Sequence, residues 1–296
     1  MSKGWGRAPA GRIAYVDGRY VAHARAGVHI EDRGFQLGDG VYEVCGVTDG
    51  VLMDEEEHLD RLERSVREIE MAMPMARNPL KLVMREVARR NHVRDGLLYL
   101  QVTRGAVRRD HPIPESGPRP SLVITARSWD TAPVEKRKHN GIAVITRPDE
   151  RWSRCDIKTT QLLPNLLAKT AARRAGAYEA WLVDENNLVT EGASTTAWIV
   201  DASGKLTTRE LTNAILPGVT RRVILEAAAA AQLPVIERGF SVKDALQARE
   251  AFISSATGVI PVVGIDGHKI GEGTPGPLTR RVQELYARAS AMRAAE

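Results

Sequence analysis

Hydrophobic positions recur along this chain with two different periods, and the switches between them mark its elements. Alternation in Ile13-Ala-Tyr-Val16, the Asp17-Gly18 step and the return Arg19-Tyr20-Val21 predict a hairpin over 13–21. Gly34, Gly38 and Gly40 within 31–44 predict a turn rather than a helix. Residues 41–47 read as a strand, and a second hairpin signal, Asp49-Gly50, follows. Over 55–73 the period lengthens. Leu59, Leu62, Val66, Ile69 and Met73 recur at steps of three and four, the mark of an amphipathic helix. A second helix is predicted over 79–92, with Leu80, Val83, Met84 and Val87 on one face. Strands at 97–103 and 121–126 flank a basic, proline-bearing loop at 105–120 that contains Arg108, Arg109 and His111.

Residues 128–139 are polar and aperiodic, as expected of a linker. Beyond them strands are predicted at 141–146, 180–183, 188–189, 196–200, 206–207, 235–240, 251–255 and 259–266. Helices are predicted at 162–175, 219–232, 241–247 and 277–292. The division is therefore an N-terminal α/β domain at 1–127, a linker at 128–138 and a C-terminal mixed α/β domain at 139–296. Both halves mix helices with hairpins, which points to a two-domain α+β or mixed α/β fold rather than a regular doubly wound sheet.

Composition narrows the class. With 296 residues, 43% apolar and 27% charged, the chain is globular and can bury a full core. Its longest apolar run, 227–231, is too short to span a bilayer. Residues 1–10 hold Lys3, Arg7 and Pro9 and lack the apolar stretch of a leader. Cys45 and Cys155 form no framework and no metal-ligand spacing, so both are expected as reduced thiols in a cytoplasmic protein, with no metal. A net charge of +5 invites a nucleic-acid partner, but acids are interleaved with the bases, as over 55–70, and aromatics are only 5%. The charge reads as a solvated surface, with neither nucleic acid nor membrane as partner.

The candidate chemistry centres on Lys158, at the end of Arg151-Trp-Ser-Arg-Cys-Asp-Ile-Lys158 and between a predicted strand and helix. Packing among Trp152, Ile157, Leu162 and Leu163 would desolvate the ammonium and favour the free amine. A free amine is what a Schiff base with pyridoxal phosphate requires. On position alone a solvated surface lysine is the commoner outcome. Such a cofactor also needs an acid for the pyridine nitrogen, an anion site for its phosphate and a grip for the substrate carboxylate. Glu191, ahead of Gly192, is the candidate acid, its plainer reading being a turn glutamate in water. Gly218-Val219-Thr220 at a helix start and the cluster Ser254-Ser255-Ala256-Thr257-Gly258 suit a phosphate. Their plainer readings are a threonine cap and an ordinary loop. Arg61 supplies a permanent charge, unless it merely pairs with Glu57 or Glu68 on its own helix. Arg109, His111 and Tyr42 suit a carboxylate, against the plainer reading of a mobile basic loop.

Taken together the chain resembles the D-amino-acid aminotransferases, among the pyridoxal-phosphate enzymes of fold type IV, across about 13–281. The resemblance is carried by Asp32-Arg-Gly-Phe-Gln-Leu-Gly-Asp-Gly-Val-Tyr-Glu-Val44, His58-Leu-Asp-Arg-Leu62, Gln101-Val-Thr-Arg-Gly105, Arg151 to Lys158, Val189-Thr-Glu-Gly192 and Gly218-Val-Thr-Arg221. It implies that Lys158 is the Schiff-base lysine and that Glu191 partners the pyridine nitrogen. It implies that Arg61, Val219, Thr220, Ser255 and Ala256 cradle the phosphate and that Leu216 packs on one ring face. It further implies that Tyr42, Arg109 and His111 trap the carboxylate. Because the Arg109/His111 loop of that family reaches across from the partner subunit, a homodimer is implied. The implied reaction is ping-pong transamination through Lys158 between a D-amino acid such as D-alanine and a 2-oxo acid such as 2-oxoglutarate. A branched-chain L-amino-acid aminotransferase, an (R)-amine transaminase and an aminodeoxychorismate lyase share the main features and stay open. Outside catalysis, so does a basic binding protein on a retained fold. Ala193, Ala256, Gly258 and Cys45-Gly46 depart from the family's usual residues. The first two thin a hydroxyl shell, and the last would widen the side-chain pocket near Tyr42.

Overall fold

A computed structural model describes residues 11–115 and 117–294; the reading of 1–10 falls outside them. Packing divides the chain into two units. One runs to Asp130 and includes Ile157–Gln161; the other comprises Thr131–Asp156 and the chain from Leu162 onward.

The first unit contains β1 (Ile13–Val16), β2 (Arg19–Ala22), α1 (Arg33–Leu37), β3 (Gly40–Thr48), β4 (Val51–Leu52), α2 (Glu55–Glu68), α3 (Arg77–Arg90), β5 (Gly96–Thr103) and β6 (Ser121–Ser128). Its strands form one antiparallel sheet in the order β2-β1-β6-β5-β3-β4. Strand alternation puts Val41, Cys45 and Val47, Leu98, Leu100 and Val102, and Leu122, Ile124 and Ala126 on one face. Leu59, Leu62 and Val66 of α2 and Leu80, Met84 and Val87 of α3 close that core. The opposite parity leaves Tyr42, Val44, Tyr99 and Gln101 on the other face, each only partly buried.

Two expectations are corrected here. A short helix, α1, stands where the glycines suggested only a turn. The Asp32 side chain caps it, accepting from Gly34 N–H (2.9 Å) and Phe35 N–H (3.2 Å), and Gly38 ends it in the left-handed region. Helix α2 stops at Glu68 rather than Met73, because Glu70 takes a positive φ. Ile69 and Met73 still pack on the core, so the apolar stripe outlasts the helix.

The second unit contains α4 (Ala132–Asn140), β7 (Ile142–Pro148), α5 (Leu163–Arg174), β8 (Glu179–Val183), β9 (Val189–Gly192), β10 (Thr196–Val200), β11 (Leu206–Thr208), α6 (Val219–Ala230), β12 (Val235–Glu237), α7 (Val242–Leu246), β13 (Glu250–Ser255), β14 (Gly258–Ile265), β15 (His268–Lys269) and α8 (Pro277–Ala294). Its mixed sheet has the order β12-β11-β10-β13-β14-β7-β8-β9, with β15 added to β14. Gly192 N–H donates to Thr195 O (2.7 Å), which draws edge strand β9 against the start of β10 and curls the sheet. Trp181, Ile253, Ile260 and Val262 centre one core; Trp198 and Phe252, stacked 5.3 Å apart, centre another with Ile224 and Val282. Both units thus mix helix and sheet, as an α+β fold of this kind requires.

The stretch read as a linker, 128–138, holds the end of β6 and most of α4. Only Val134 of α4 is buried, so that helix shows no apolar stripe to announce it. The placement of Lys158 in the C-terminal domain is corrected too. Residues Ile157–Gln161 belong to the first unit, because Thr159 bridges Val41 and Thr160 N–H donates to Gly40 O (3.0 Å). Among the described residues no helix is long and apolar enough to cross a membrane.

Asp32 is 2% exposed, and besides its capping bonds it accepts the Thr103 hydroxyl at 2.7 Å. Asp32→Ala should therefore cost about 2 kcal/mol, combining a lost cap with an unpaired buried hydroxyl. Urea unfolding checks this, and a change below a few tenths would contradict the anchoring role given to Asp32.

Candidate active site

In the first unit Lys158 lies beside β3. Tyr42 N–H donates to Lys158 O (3.0 Å), and Lys158 N–H reaches Ser65 Oγ on α2 at 3.4 Å. The Lys158 side chain is half-buried, with Nζ 4.3 Å from the centroid of the Tyr42 ring. Of the four residues expected to desolvate it, Ile157 is buried, but Trp152 (41%) and Leu163 (67%) are exposed. The apolar wall is the aromatic face of Tyr42, which stacks on Tyr99 at 5.7 Å. The Tyr99 hydroxyl donates to Gln101 Oε1 (2.6 Å), and burial, aided by Tyr42, pushes the Tyr99 phenol up to about 12.

Arg61 is not the exposed helix arginine of the plainer reading. It is 9% exposed and grips Glu43 with two bonds, Nε to Oε1 and Nη2 to Oε2, both 2.8 Å. His58 Nδ1 lies 2.7 Å from Glu43 Oε2. Burial alone would raise the Glu43 carboxyl. The Arg61 charge and the hydrogen bonds from Arg61 and His58 overcome it and hold the carboxyl far below the usual range. Cys45, on the same buried parity, faces the core, so it does not widen a pocket beside Tyr42; only Gly46 shares the Tyr42 face.

Arg109 and His111 are exposed on the loop after β5. The backbone of that loop is held from below: Arg33, 3% exposed, donates to Asp110 O (2.7 Å) and His111 O (3.3 Å).

In the second unit Glu191 is 6% exposed on β9. Its Oε1 is paired with Arg151 Nη1 and accepts from Leu216 N–H (3.2 Å), so Glu191 and Leu216 are brought together. Arg151 is fixed in turn by a two-bond grip on Asp149 (2.8 and 2.7 Å) and by the Ala214 carbonyl (3.0 Å). Burial would lower its guanidinium, but the bonds to Asp149 and the charge of Glu191 hold it well above its ordinary value. A Cβ at Gly192 would lie 2.2 Å from Thr195 Oγ1, so the close run of β9 against Thr195 requires glycine there.

Helix α6 begins at Gly218 with no side-chain cap. Thr220 does not cap it; its hydroxyl donates to Ser255 O (2.8 Å), which ties the start of α6 to the turn between β13 and β14. In that turn Ser255 Oγ lies 2.9 Å from Thr257 Oγ1, so hydroxyls flank Ala256 on both sides. Gly258 has φ +93, a region glycine adopts readily and a larger residue does not. Ser254, by contrast, is taken by the Trp198 indole (3.0 Å). Val219 is buried at the first turn of α6, and Ala193 is buried with its carbonyl accepting from Asn165 Nδ2 (2.9 Å).

Comparison with known proteins decides the family. The family described as Amino-transferase class IV matches residues 40–265. The chain belongs to the class IV aminotransferases. It is 41% identical over 268 residues to the D-alanine aminotransferase of Bacillus licheniformis, covering 90% of this chain and 93% of that protein. Identity to the D-alanine aminotransferase of Staphylococcus haemolyticus is 38%, over 92% of this chain and 95% of that one. Among solved structures, the branched-chain amino acid aminotransferase of Escherichia coli matches with a TM-score of 0.85, 26% identity and 93% of each chain. A second branched-chain amino acid aminotransferase, solved with pyridoxamine 5'-phosphate, matches with a TM-score of 0.86, 25% identity and 95% of each chain.

Class IV aminotransferases depend on pyridoxal phosphate, and the donor set of this aminotransferase fits that group. The first unit offers a primary amine on an aromatic face; the second offers a fixed buried carboxylate and an uncapped helix start beside paired hydroxyls. Two supporting arrangements escaped the sequence reading: Glu43 with His58 as the hold on Arg61, and Arg151 as the hold on Glu191. Glu43 had left a signal, an acid at a core-facing position of an alternating strand.

The Glu43 pair predicts a pH dependence. Its folded pKa is depressed, so its stabilisation is complete above the ordinary value of 4.5 and is lost as pH falls below it. Glu43→Gln should cost about 3–5 kcal/mol at neutral pH by removing the charge that Arg61 grips. The gap to wild type should narrow steadily in acid. Urea midpoints measured across this range check both, and a gap independent of pH would contradict the assignment.

Proposed function

We propose that this aminotransferase moves the amino group of a D-amino acid, D-alanine foremost, to a 2-oxo acid such as 2-oxoglutarate in a ping-pong sequence. The observation that carries the reading is the Lys158 amine set 4.3 Å above the Tyr42 ring, in a chain that resembles D-alanine aminotransferases along nine-tenths of its length. The branched-chain enzymes that share the fold at 25–26% identity mark the second reading, a branched-chain L-amino-acid aminotransferase.

When bound, pyridoxal phosphate supplies an aldehyde carbon that exchanges amines and a ring that accepts electrons. Lys158 Nζ would hold that carbon, and its amine would carry the substrate α-proton. Glu191, kept in place by Arg151 and Leu216 N–H, would accept the hydrogen bond of the pyridine nitrogen and so keep its proton there. Leu216 would pack against the ring. Val219 and Thr220 at the start of α6, with Ser255 and Ala256, would hold the phosphate, and Arg61 would add permanent charge. Tyr42, Arg109 and His111 bind the substrate carboxylate and orient the α-carbon toward Lys158.

A homodimer completes this reading, with Arg109 and His111 serving the partner's site. Two apolar surfaces support it: Leu163, Leu166 and Leu167 of α5, which are 67%, 59% and 59% exposed, and Ile30 with Phe35, 75% and 71% exposed. A cytoplasmic location accords with the free thiols of Cys45 and Cys155.

Lys158→Ala should abolish transamination and the long-wavelength absorption of the lysine-bound cofactor; wild-type turnover in this variant would overturn the reading. Arg109→Ala should weaken D-alanine binding by about 2–5 kcal/mol. Steady-state kinetics with D- and L-alanine and D- and L-leucine measure this and separate the two readings, since preference for L-leucine would favour the branched-chain one.

A further inference from the structure

The loop that carries Arg109 and His111 leaves β5 at Gly105 and rests on a cluster of buried charges that the proposed reaction does not use. Arg33, on α1, is 3% exposed. Its Nη1 donates to Asp110 O (2.7 Å) and its Nη2 to His111 O (3.3 Å), so one planar group holds two consecutive carbonyls of the loop. The third guanidinium nitrogen, Nε, donates to Asp39 Oδ2 (2.7 Å). The same oxygen accepts from Arg104 Nε (2.7 Å), and Arg104, 5% exposed, extends to Ile69 O (2.6 Å) and Glu70 O (3.0 Å) just past the end of α2. Burial would raise the Asp39 carboxyl, but hydrogen bonds from Arg104 and Arg33 hold it below its usual value.

The base of the loop is tied to the same place. Arg33 N–H donates to Gly105 O (3.0 Å), Val107 N–H to Glu31 O (3.3 Å), and Asp32 pairs with Ala106. Gly105 sits at φ +95, and a Cβ there would lie 2.3 Å from Arg119 O, so the strands of the loop base touch directly. With Nε anchored on Asp39, the two terminal nitrogens of Arg33 are spent on backbone carbonyls rather than on a ligand. They set where the chain runs, and here the carbonyls flank the residues proposed to grip the substrate carboxylate. A displacement of about 1 Å at such a grip is enough to cost a hundredfold in rate.

We propose that Arg33 is a positioning residue for the substrate-carboxylate grip. It aims Arg109 and His111 through the backbone of Asp110 and His111, and Asp39, shared with Arg104, keeps its plane fixed. The inference rests on the role proposed for Arg109 above. Lysine at this position keeps the charge beside Asp39 but lacks the planar fork that spans two carbonyls.

The test compares Arg33→Lys and Arg33→Gln with Arg109→Ala and with each double variant, all as holoenzyme. For Arg33→Lys, kcat/KM for D-alanine should fall about tenfold to a hundredfold, with the loss in KM. The affinity for pyridoxal phosphate, read from cofactor fluorescence titration, and the melting temperature should stay near wild type. In the Arg109→Ala background the Arg33 substitutions should add little, because the group they aim is gone. Unchanged KM in Arg33→Lys, or losses that multiply fully in the double variant, would overturn the inference. So would failure of both Arg33 variants to fold, which would assign Arg33 to stability alone. If Arg109→Ala itself leaves D-alanine kinetics unchanged, the carboxylate role of Arg109 fails, a result distinct from the failure of Arg33 to act through it.

Discussion

Tyr42 N–H donates to the Lys158 carbonyl, and on that backbone bond the position of the proposed reactive amine depends. Lys158 is remote in sequence from β3, yet Ile157–Gln161 runs alongside that strand, with Thr159 bridged to Val41 and Thr160 bonded to Gly40. The consequence is stereochemical. Once the backbone is paired, Lys158 lies above the Tyr42 ring, on the sheet face away from the core, while Ser65 of α2 meets its N–H. The amine therefore stands on a strand-like support rather than on a free loop, the more exact of the two places to hold a reacting group.

Three buried ionic clusters stand behind the candidate residues, each built on acids. Glu43 holds Arg61 and His58, Asp39 holds Arg33 and Arg104, and Asp149 with Glu191 holds Arg151. Burying such charges is costly, and apolar residues of equal volume would often be as stable. What the clusters provide is direction. A guanidinium forked on a carboxylate has one orientation, and its remaining donors then point to one place. The arginines at issue serve a proposed phosphate site, a proposed carboxylate grip and a proposed pyridine partner, where direction matters more than stability.

The hydroxyl shell shows how substitutions can be absorbed locally. Ala256 contributes no hydroxyl, but Ser255 and Thr257 bond to each other across it. Gly258, another departure from the family's usual residues, takes a backbone conformation that closes the β13–β14 turn tightly. The turn is thus shaped by the paired hydroxyls and by the backbone of Gly258, with no part for the Ala256 side chain.

Much of this molecule was legible in its sequence because periodicity and turn chemistry are local. The Asp17-Gly18 hairpin, the stripes of α2 and α3, the strands and the ordered motifs with Lys158 and Glu191 could all be read residue by residue. Helix α1 escaped because it is only five residues long and its start depends on the Asp32 side chain, which is held in turn by Thr103 far along the chain. Helix α4 escaped because it buries one residue and so leaves no stripe. The ownership of Lys158 by the first unit, the pairing of Arg61 with Glu43 rather than with its helix neighbours, and the hold of Arg33 on the Arg109 loop were decided only in three dimensions. Each is a contact between residues distant in sequence, and a chain's local pattern carries the identity of such residues but not their meeting.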